Sequence, residues 1–477
     1  MIFTSYTYVF FLTVAFLIHW SLPSSWRKPF LIAASYLFYC TWKWEYGFLL
    51  LGVSLFNWAY ARWVISRSVS TGVLVAGIVV NLVPLLYFKY TVFFLSNTVT
   101  AANFLGAGWH PRLPDIILPL GISFFTFQGI AYLVDVASGE KPFDRPSDFL
   151  LFKGFWPQLI AGPIVRPGEI SEQILGERKL DYEDFSFGCR RILYGFFKKV
   201  VLADTLAPFV EMVYLAGAGP NAVDAAVGTL AFGLQIYFDF SAYSDIAIGS
   251  ARLFGFVFPE NFAWPYLSGS PQEFWARWHM TLSRWIRDYV FTPMTFSFRD
   301  RPNTAMVWLL AAMVVCGFWH GARWTFILWG AWHGILLVLN QTVLRKLFPA
   351  TGEPGMEWWK IKYWTGAVIT FFLVTLGWVL FRAPSLAAAG DFFSSMFLLK
   401  GGLNRSILRE SSILVVLIMF LGLVAAQVYH GIQPRLAGLR ERLAPIRRGL
   451  KPFAYVALIL AVIIFDKSAK AFVYFQF

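Results

Sequence analysis

Along the chain, long apolar runs alternate with short polar connectors. A helix needs about 20 apolar residues to cross a bilayer, with about 17 tolerated. Runs near that length fall at 3–22, 46–61, 72–95, 116–137, 200–215, 225–251, 305–320, 324–344, 363–381, 412–430 and 453–472, with a shorter one at 30–42. They predict an all-α, polytopic membrane protein of about 11–12 transmembrane helices, because a helix satisfies its own backbone polar groups in lipid. No internal repeat or low-complexity tract interrupts the series, so residues 1–477 read as a single membrane domain.

Two stretches break the pattern. Residues 149–165 are apolar but carry Trp156-Pro157 and Gly162-Pro163, and proline interrupts a helix. Irregular backbone at membrane depth needs protein or a water-filled cavity around it. The region about 149–168 is therefore read as re-entrant or half-buried, lining a cavity. The second stretch, 274–291, reads FWARWHMTLSRWIRDYVF. Trp275, Trp278, His279, Leu282, Trp285, Ile286, Tyr289 and Val290 fall on one helix face, with Arg277, Arg284, Arg287 and Asp288 opposite. That spacing predicts an amphipathic helix lying along the membrane or packing its aromatic face on the bundle.

Composition supports a bilayer home. Apolar residues make up 58% of the chain and charged residues 14%, against roughly 25% charged in a soluble domain. Disorder and a secreted disulfide scaffold are excluded. The three cysteines, Cys40, Cys189 and Cys316, form no CxxC pair and read as buried thiols. The net charge of +13 resides in loops rather than in a nucleic-acid surface. With all twelve runs crossing and the N-terminus outside, 30 of the 40 Lys and Arg fall in inner loops, the bias expected of a cytoplasmic side. Residues 1–20 lack a basic start and a cleavage site, so they read as a first span, not a signal peptide.

Ionisable groups within apolar runs are costly and face the bundle interior or a wet path. His279 sits on the greasy face of 274–291, where a histidine either packs or meets something polar opposite. His320 lies in CGFWHG (316–321), flanked by Trp319 and Trp324. Burial among tryptophans disfavours protonation, and a neutral imidazole is what a general base requires. A packing histidine bonded to a carbonyl would look the same locally. His333, in WGAWHG (329–334), is read as a supporting residue, and His19, His110 and His430 as interface residues. Asp239 and Asp245 are six apart, hence on different faces of a straight helix. They are read as partners for Arg252, or as holders of imidazoles, rather than as a proton relay.

No Gly-rich phosphate loop, HExxH or GxSxG appears, and no metal site is expected. A transporter or flippase stays open as a rival, although its usual internal repeat is missing. A multispan glycosyltransferase would need acids in an early outer loop, where 96–115 offers only Asp115. A scaffold without chemistry is the remaining rival.

Several motifs together resemble the membrane-bound O-acyltransferase family, in particular its alginate O-acetylation branch. They are LPLGISFFTFQ (118–128), LIAGPI (159–164), YFDFSAYSD (237–245), PENF (259–262), FWARWHMTLSRWIRD (274–288), FWHGA (318–322) and the terminal YFQF (474–477). The resemblance implies an acyltransferase built around a central tunnel, in the bacterial inner membrane. It implies His320 as the family's catalytic histidine and His279 as the second histidine of the active-site region. Trp278, Trp319, Asp239, Asp245, Asn261 and His333 become tunnel-lining or supporting candidates. It further implies an acyl thioester such as acetyl-CoA as donor substrate, with no tightly bound cofactor. Membrane lipid and periplasmic acetyl-transfer proteins are the implied partners, and the product is an O-acetylated exopolysaccharide or cell-wall glycan. Within the family, D-alanyl transfer to teichoic acids is the alternative.

Overall fold

A computed structural model describes residues 3–67, 70–215, 219–301, 304–344, 361–399, 408–466 and 472. Among them are helices and turns and no strand. Each of the twelve apolar runs contains a helix, as an all-α polytopic protein requires. Six helical stretches are long and apolar enough to cross a membrane: Glu45–Ile65, Thr71–Phe104, Trp324–Leu344, Lys362–Arg382, Glu410–Ile432 and Ala444–Phe465. Tyr6–Ser21, Ile122–Ala137, Ala305–His320 and Leu386–Leu398 are shorter apolar helices. The last falls between the apolar runs 363–381 and 412–430, where the sequence pattern gave no span. Ser385 starts it, its hydroxyl accepting the Ala388 N–H at 3.1 Å. The terminal motif 474–477 lies outside the described residues.

The chain divides into two compact units, Met1–Ile192 with Ser244–Glu260, and Leu193–Tyr243 with Asn261–Phe477. Inside the first, the proline-broken segment is buried in protein along 151–165. Its helix Pro146–Gly154 stops at Phe155, and a four-residue helix, Trp156–Leu159, restarts with Pro157 in its first turn. Proline is tolerated there because those N–H groups have no partner inside the helix. Phe155 and Trp156 pack against Phe254 at 6.5 and 5.1 Å between ring centroids. His19, expected at an interface, is buried against Trp20 and Phe254. Of the cysteines only Cys316 is buried; Cys189 is exposed and Cys40 partly so.

In the second unit the helices Ala305–His320 and Trp324–Leu339 form a tight hairpin. Gly317 and Gly330 set its spacing. A Cβ on Gly317 would stand 2.2 Å from the Phe326 carbonyl, and one on Gly330 2.3 Å from that of Met313. Small residues of this kind let membrane helices approach backbone to backbone. By contrast, no residue of Ala444–Phe465 is buried, and Phe453, Ile463 and Ile464 face outward as on a helix bathed in lipid.

Candidate active site

The glycine-spaced hairpin places His320 at the last position of Ala305–His320, buried to 6% exposure. Gly321 follows in extended conformation and ends the helix there. The imidazole stands edge-on to Trp319, Trp329 and Phe381, with ring centroids 4.9, 4.9 and 5.3 Å away. Trp329 comes from the second arm of the hairpin, and Phe381 from the helix Ile361–Arg382. Of the two tryptophans that sequence reading set beside His320, Trp319 is in contact and Trp324 is exposed. Trp329 and Phe381, nine and sixty-one residues downstream, were missed as its neighbours.

Residues 274–291 do not form the single amphipathic helix that their periodicity predicts. A helix Pro271–Arg277 stops, and a second, Met280–Ile286, begins after a break at Trp278 and His279. His279 takes φ 42° and ψ 53°, a left-handed conformation that costs a non-glycine residue of order 1–3 kcal/mol unless its surroundings impose it. Two backbone bonds to a distant segment impose it: Met280 N–H donates to the Asn261 carbonyl at 2.9 Å, and Ala263 N–H to the Arg277 carbonyl at 2.9 Å. These bonds hold the break in place of the helical ladder. The aromatic stripe is buried as expected, at Trp275, Trp278, Leu282, Trp285 and Ile286. Arg277 departs from expectation. Instead of facing solvent it is buried, with Nη2 2.5 Å from Glu273 Oε1.

The break carries the His279 ring into the interior, fully buried. Nδ1 lies 3.0 Å from Asn261 Oδ1. Phe240 stands edge-on at 4.6 Å, with Phe262 and Trp319 at 6.4 and 6.3 Å. Burial pushes its pKa down to about 3, so the imidazole is neutral throughout the physiological range. The Trp319 ring thus contacts both imidazoles, His279 at 6.3 Å and His320 at 4.9 Å.

The other candidates separate. Trp278, Trp319, Asn261 and His333 belong with the two histidines in the second unit. Trp278 packs on Phe262 and Trp378 at 5.1 and 5.0 Å. His333 is enclosed by Trp329 at 4.8 Å and Trp275 at 5.2 Å. Asp239 is in the same unit, but its partner is Lys199, with Nζ 2.6 Å away and also 2.8 Å from Asp204. Asp245 belongs to the first unit and pairs with Arg191 at 2.6 Å. Arg252, the partner expected for both acids, binds Asp184 instead. Pairing choices of this kind depend on segments 40 to 70 positions away, about which local sequence is silent. Thr281 was also missed; its hydroxyl donates to Asn261 Oδ1 at 2.9 Å.

This arrangement offers two buried imidazoles in one aromatic enclosure, suited to moving protons away from bulk water. A model of the MBOAT, membrane-bound O-acyltransferase family matches residues 145–382, a span that contains both histidines. The chain is 38% identical over 410 residues to a probable alginate O-acetylase of Azotobacter vinelandii, covering 83% of this chain and 78% of that protein. It is 35% identical over 450 residues to a peptidoglycan O-acetyltransferase of Helicobacter pylori, covering 86% and 82%. Against a teichoic acid D-alanyltransferase of Streptococcus thermophilus the identity is 32% over 280 residues, covering 55% and 68%. With likeness of this extent, and a multi-pass helical architecture to match, the chain belongs to the membrane-bound O-acyltransferase family and is an acyltransferase.

Proposed function

We propose that this protein takes an acetyl group from a cytoplasmic acyl thioester such as acetyl-CoA and passes it across the bacterial inner membrane. The acceptor is a hydroxyl on the route to O-acetylation of an exopolysaccharide or cell-wall glycan, with periplasmic acetyl-transfer proteins as partners. The observation that carries the reading is the single indole, Trp319, in contact with both buried imidazoles. In this scheme His320 accepts the proton of the acceptor hydroxyl as its oxygen attacks the thioester carbonyl carbon. The C–S bond breaks, and the proton passes to the departing thiolate. An aromatic enclosure excludes the water that would otherwise hydrolyse the thioester. No metal and no tightly bound cofactor enters the scheme.

D-alanyl transfer is the second reading, supported by the teichoic acid relative. The acetylating relatives match over 83% and 86% of this chain and the D-alanylating one over 55%, which favours acetyl. The test is His320→Gln, which keeps volume and hydrogen bonding but cannot exchange a proton near neutral pH. Glycan acetyl content in the native host should fall about 10²–10⁴-fold at unchanged protein level. Full acetylation by a well-expressed His320→Gln protein would sink the assignment.

A further inference from the structure

Asn261 Oδ1 faces three groups: the Thr281 backbone N–H at 3.3 Å, the Thr281 hydroxyl at 2.9 Å and His279 Nδ1 at 3.0 Å. The backbone N–H can only donate. The amide atom opposite it must therefore be the acceptor, which fixes the asparagine orientation with oxygen inward. An amide oxygen cannot donate, so His279 Nδ1 carries a hydrogen. In a neutral imidazole the other nitrogen then holds the lone pair. His279 Nε2 is buried and has no hydrogen-bond partner among the described residues.

A protonated ring has little to hold it. Among the described residues, Nδ1 meets an uncharged oxygen, Nε2 meets no acceptor, and the rings of Phe240, Phe262 and Trp319 stand around the imidazole. The backbone supports the same orientation. The two bonds between 261–263 and 277–280 hold His279 in its left-handed conformation, and the side-chain bond from the same Asn261 fixes the ring. Asn261 thus binds the histidine segment twice, once through its carbonyl and once through its amide.

We infer that Asn261, with Thr281 behind it, is a positioning residue that locks His279 as the Nδ1–H tautomer, so that Nε2 presents a lone pair as a hydrogen-bond acceptor in acyl transfer and does not act as an oxyanion donor. The tautomer follows from the hydrogen bonds and the uncharged surroundings of the ring; the role in transfer rests on the acyltransferase reading above. It divides the labour: the donor that steadies the thioester oxyanion must come from another group, such as a backbone amide.

The experiment is ¹⁵N NMR of histidine-labelled protein in lipid nanodiscs, with the His279 signals assigned by their loss in His279→Gln. Wild type should show a protonated Nδ1 and an unprotonated Nε2. Asn261→Ala should mix the tautomers, and in a thiol-release assay with acetyl-CoA as probe it should lower kcat about 10²-fold with KM little changed. Asn261→Asp, which keeps an acceptor for Nδ1–H and for both Thr281 donors, should restore the tautomer and most of kcat. A protonated Nε2 in wild type, or an unchanged tautomer in Asn261→Ala, overturns the inference. The expected tautomer together with a fully active His279→Gln protein overturns the role in transfer and leaves the lock standing.

Discussion

At the scale of single residues, the two aromatic-caged histidines of the hairpin differ in what they are expected to do. His333 shares Trp329 with His320, at 4.8 and 4.9 Å between ring centroids, and also stands against Trp275 at 5.2 Å. His333→Ala should open a cavity and cost a few kcal/mol, on the order of other large-to-small core changes, while measurable acetylation remains. A loss of activity equal to that of His320→Gln at normal expression would give His333 a chemical role instead. His279 makes a second, pH-dependent prediction. Its pKa falls from the ordinary value near 6.5 to about 3 on burial, so between those values the unfolded chain binds more protons than the folded one. Stability from the neutral ring is complete above the unfolded value and is lost as pH falls through the folded one. Thermal melts should therefore show the gap between wild type and His279→Gln narrowing from neutral pH towards about pH 4. A widening gap would mean the folded ring is charged.

At the scale of elements, two contacts decide whether the site is assembled. The first is the Gly317–Gly330 crossing. The atoms an added Cβ would meet are backbone carbonyls, which cannot swing aside as a side chain can. Gly330→Ala should therefore destabilise by about 1–3 kcal/mol and lower activity, since parting the hairpin moves Trp329 from His320. Gly52→Ala, whose Cβ meets nothing within 4 Å, is the control and should be neutral or slightly stabilising in a melt. Equal melting of both variants would mean the hairpin is not spaced by its glycines. The second contact is the seating of 271–286. Trp278 and Trp285 are 3% and 4% exposed. Changing both to Ala removes two large buried side chains, each worth roughly 3–5 kcal/mol, and protein abundance or acetylation should collapse. Normal levels of both would show that the stripe carries no packing.

At the scale of the whole molecule, the distribution of basic residues assigns sides. Arg435, Arg440 and Arg442 precede the last long apolar helix, Ala444–Phe465, and Arg447, Arg448 and Lys451 fall in its first turns; such crowding is expected at the cytoplasmic face. Cysteines placed there should resist a membrane-impermeant maleimide in intact cells and react after lysis. Ready labelling of intact cells would invert the orientation, and with it the side from which the proposed thioester donor would enter.

The amino-acid sequence by itself determined the environment and the class of element. Apolar runs in lipid can satisfy their backbone only as helices, so a helix in each of the twelve was readable from composition and spacing, although six helical stretches are long and apolar enough to cross a membrane. It also marked His279 and His320, because an imidazole on an apolar face or at a Gly-bounded helix end stands out against a chain so poor in polar groups. What it could not supply was every partner at a distance. Periodicity carries information about residues three and four positions apart, and by that rule 274–291 is one unbroken helix. The structure breaks it at His279 because Asn261, eighteen positions earlier, takes the Met280 N–H and the imidazole for itself. Likewise Asp245 found Arg191 and Asp239 found Lys199, since a buried charge needs whichever opposite charge the packing brings within reach. Only the tertiary structure could place one indole against both histidines, because that contact depends on how separate helices pack.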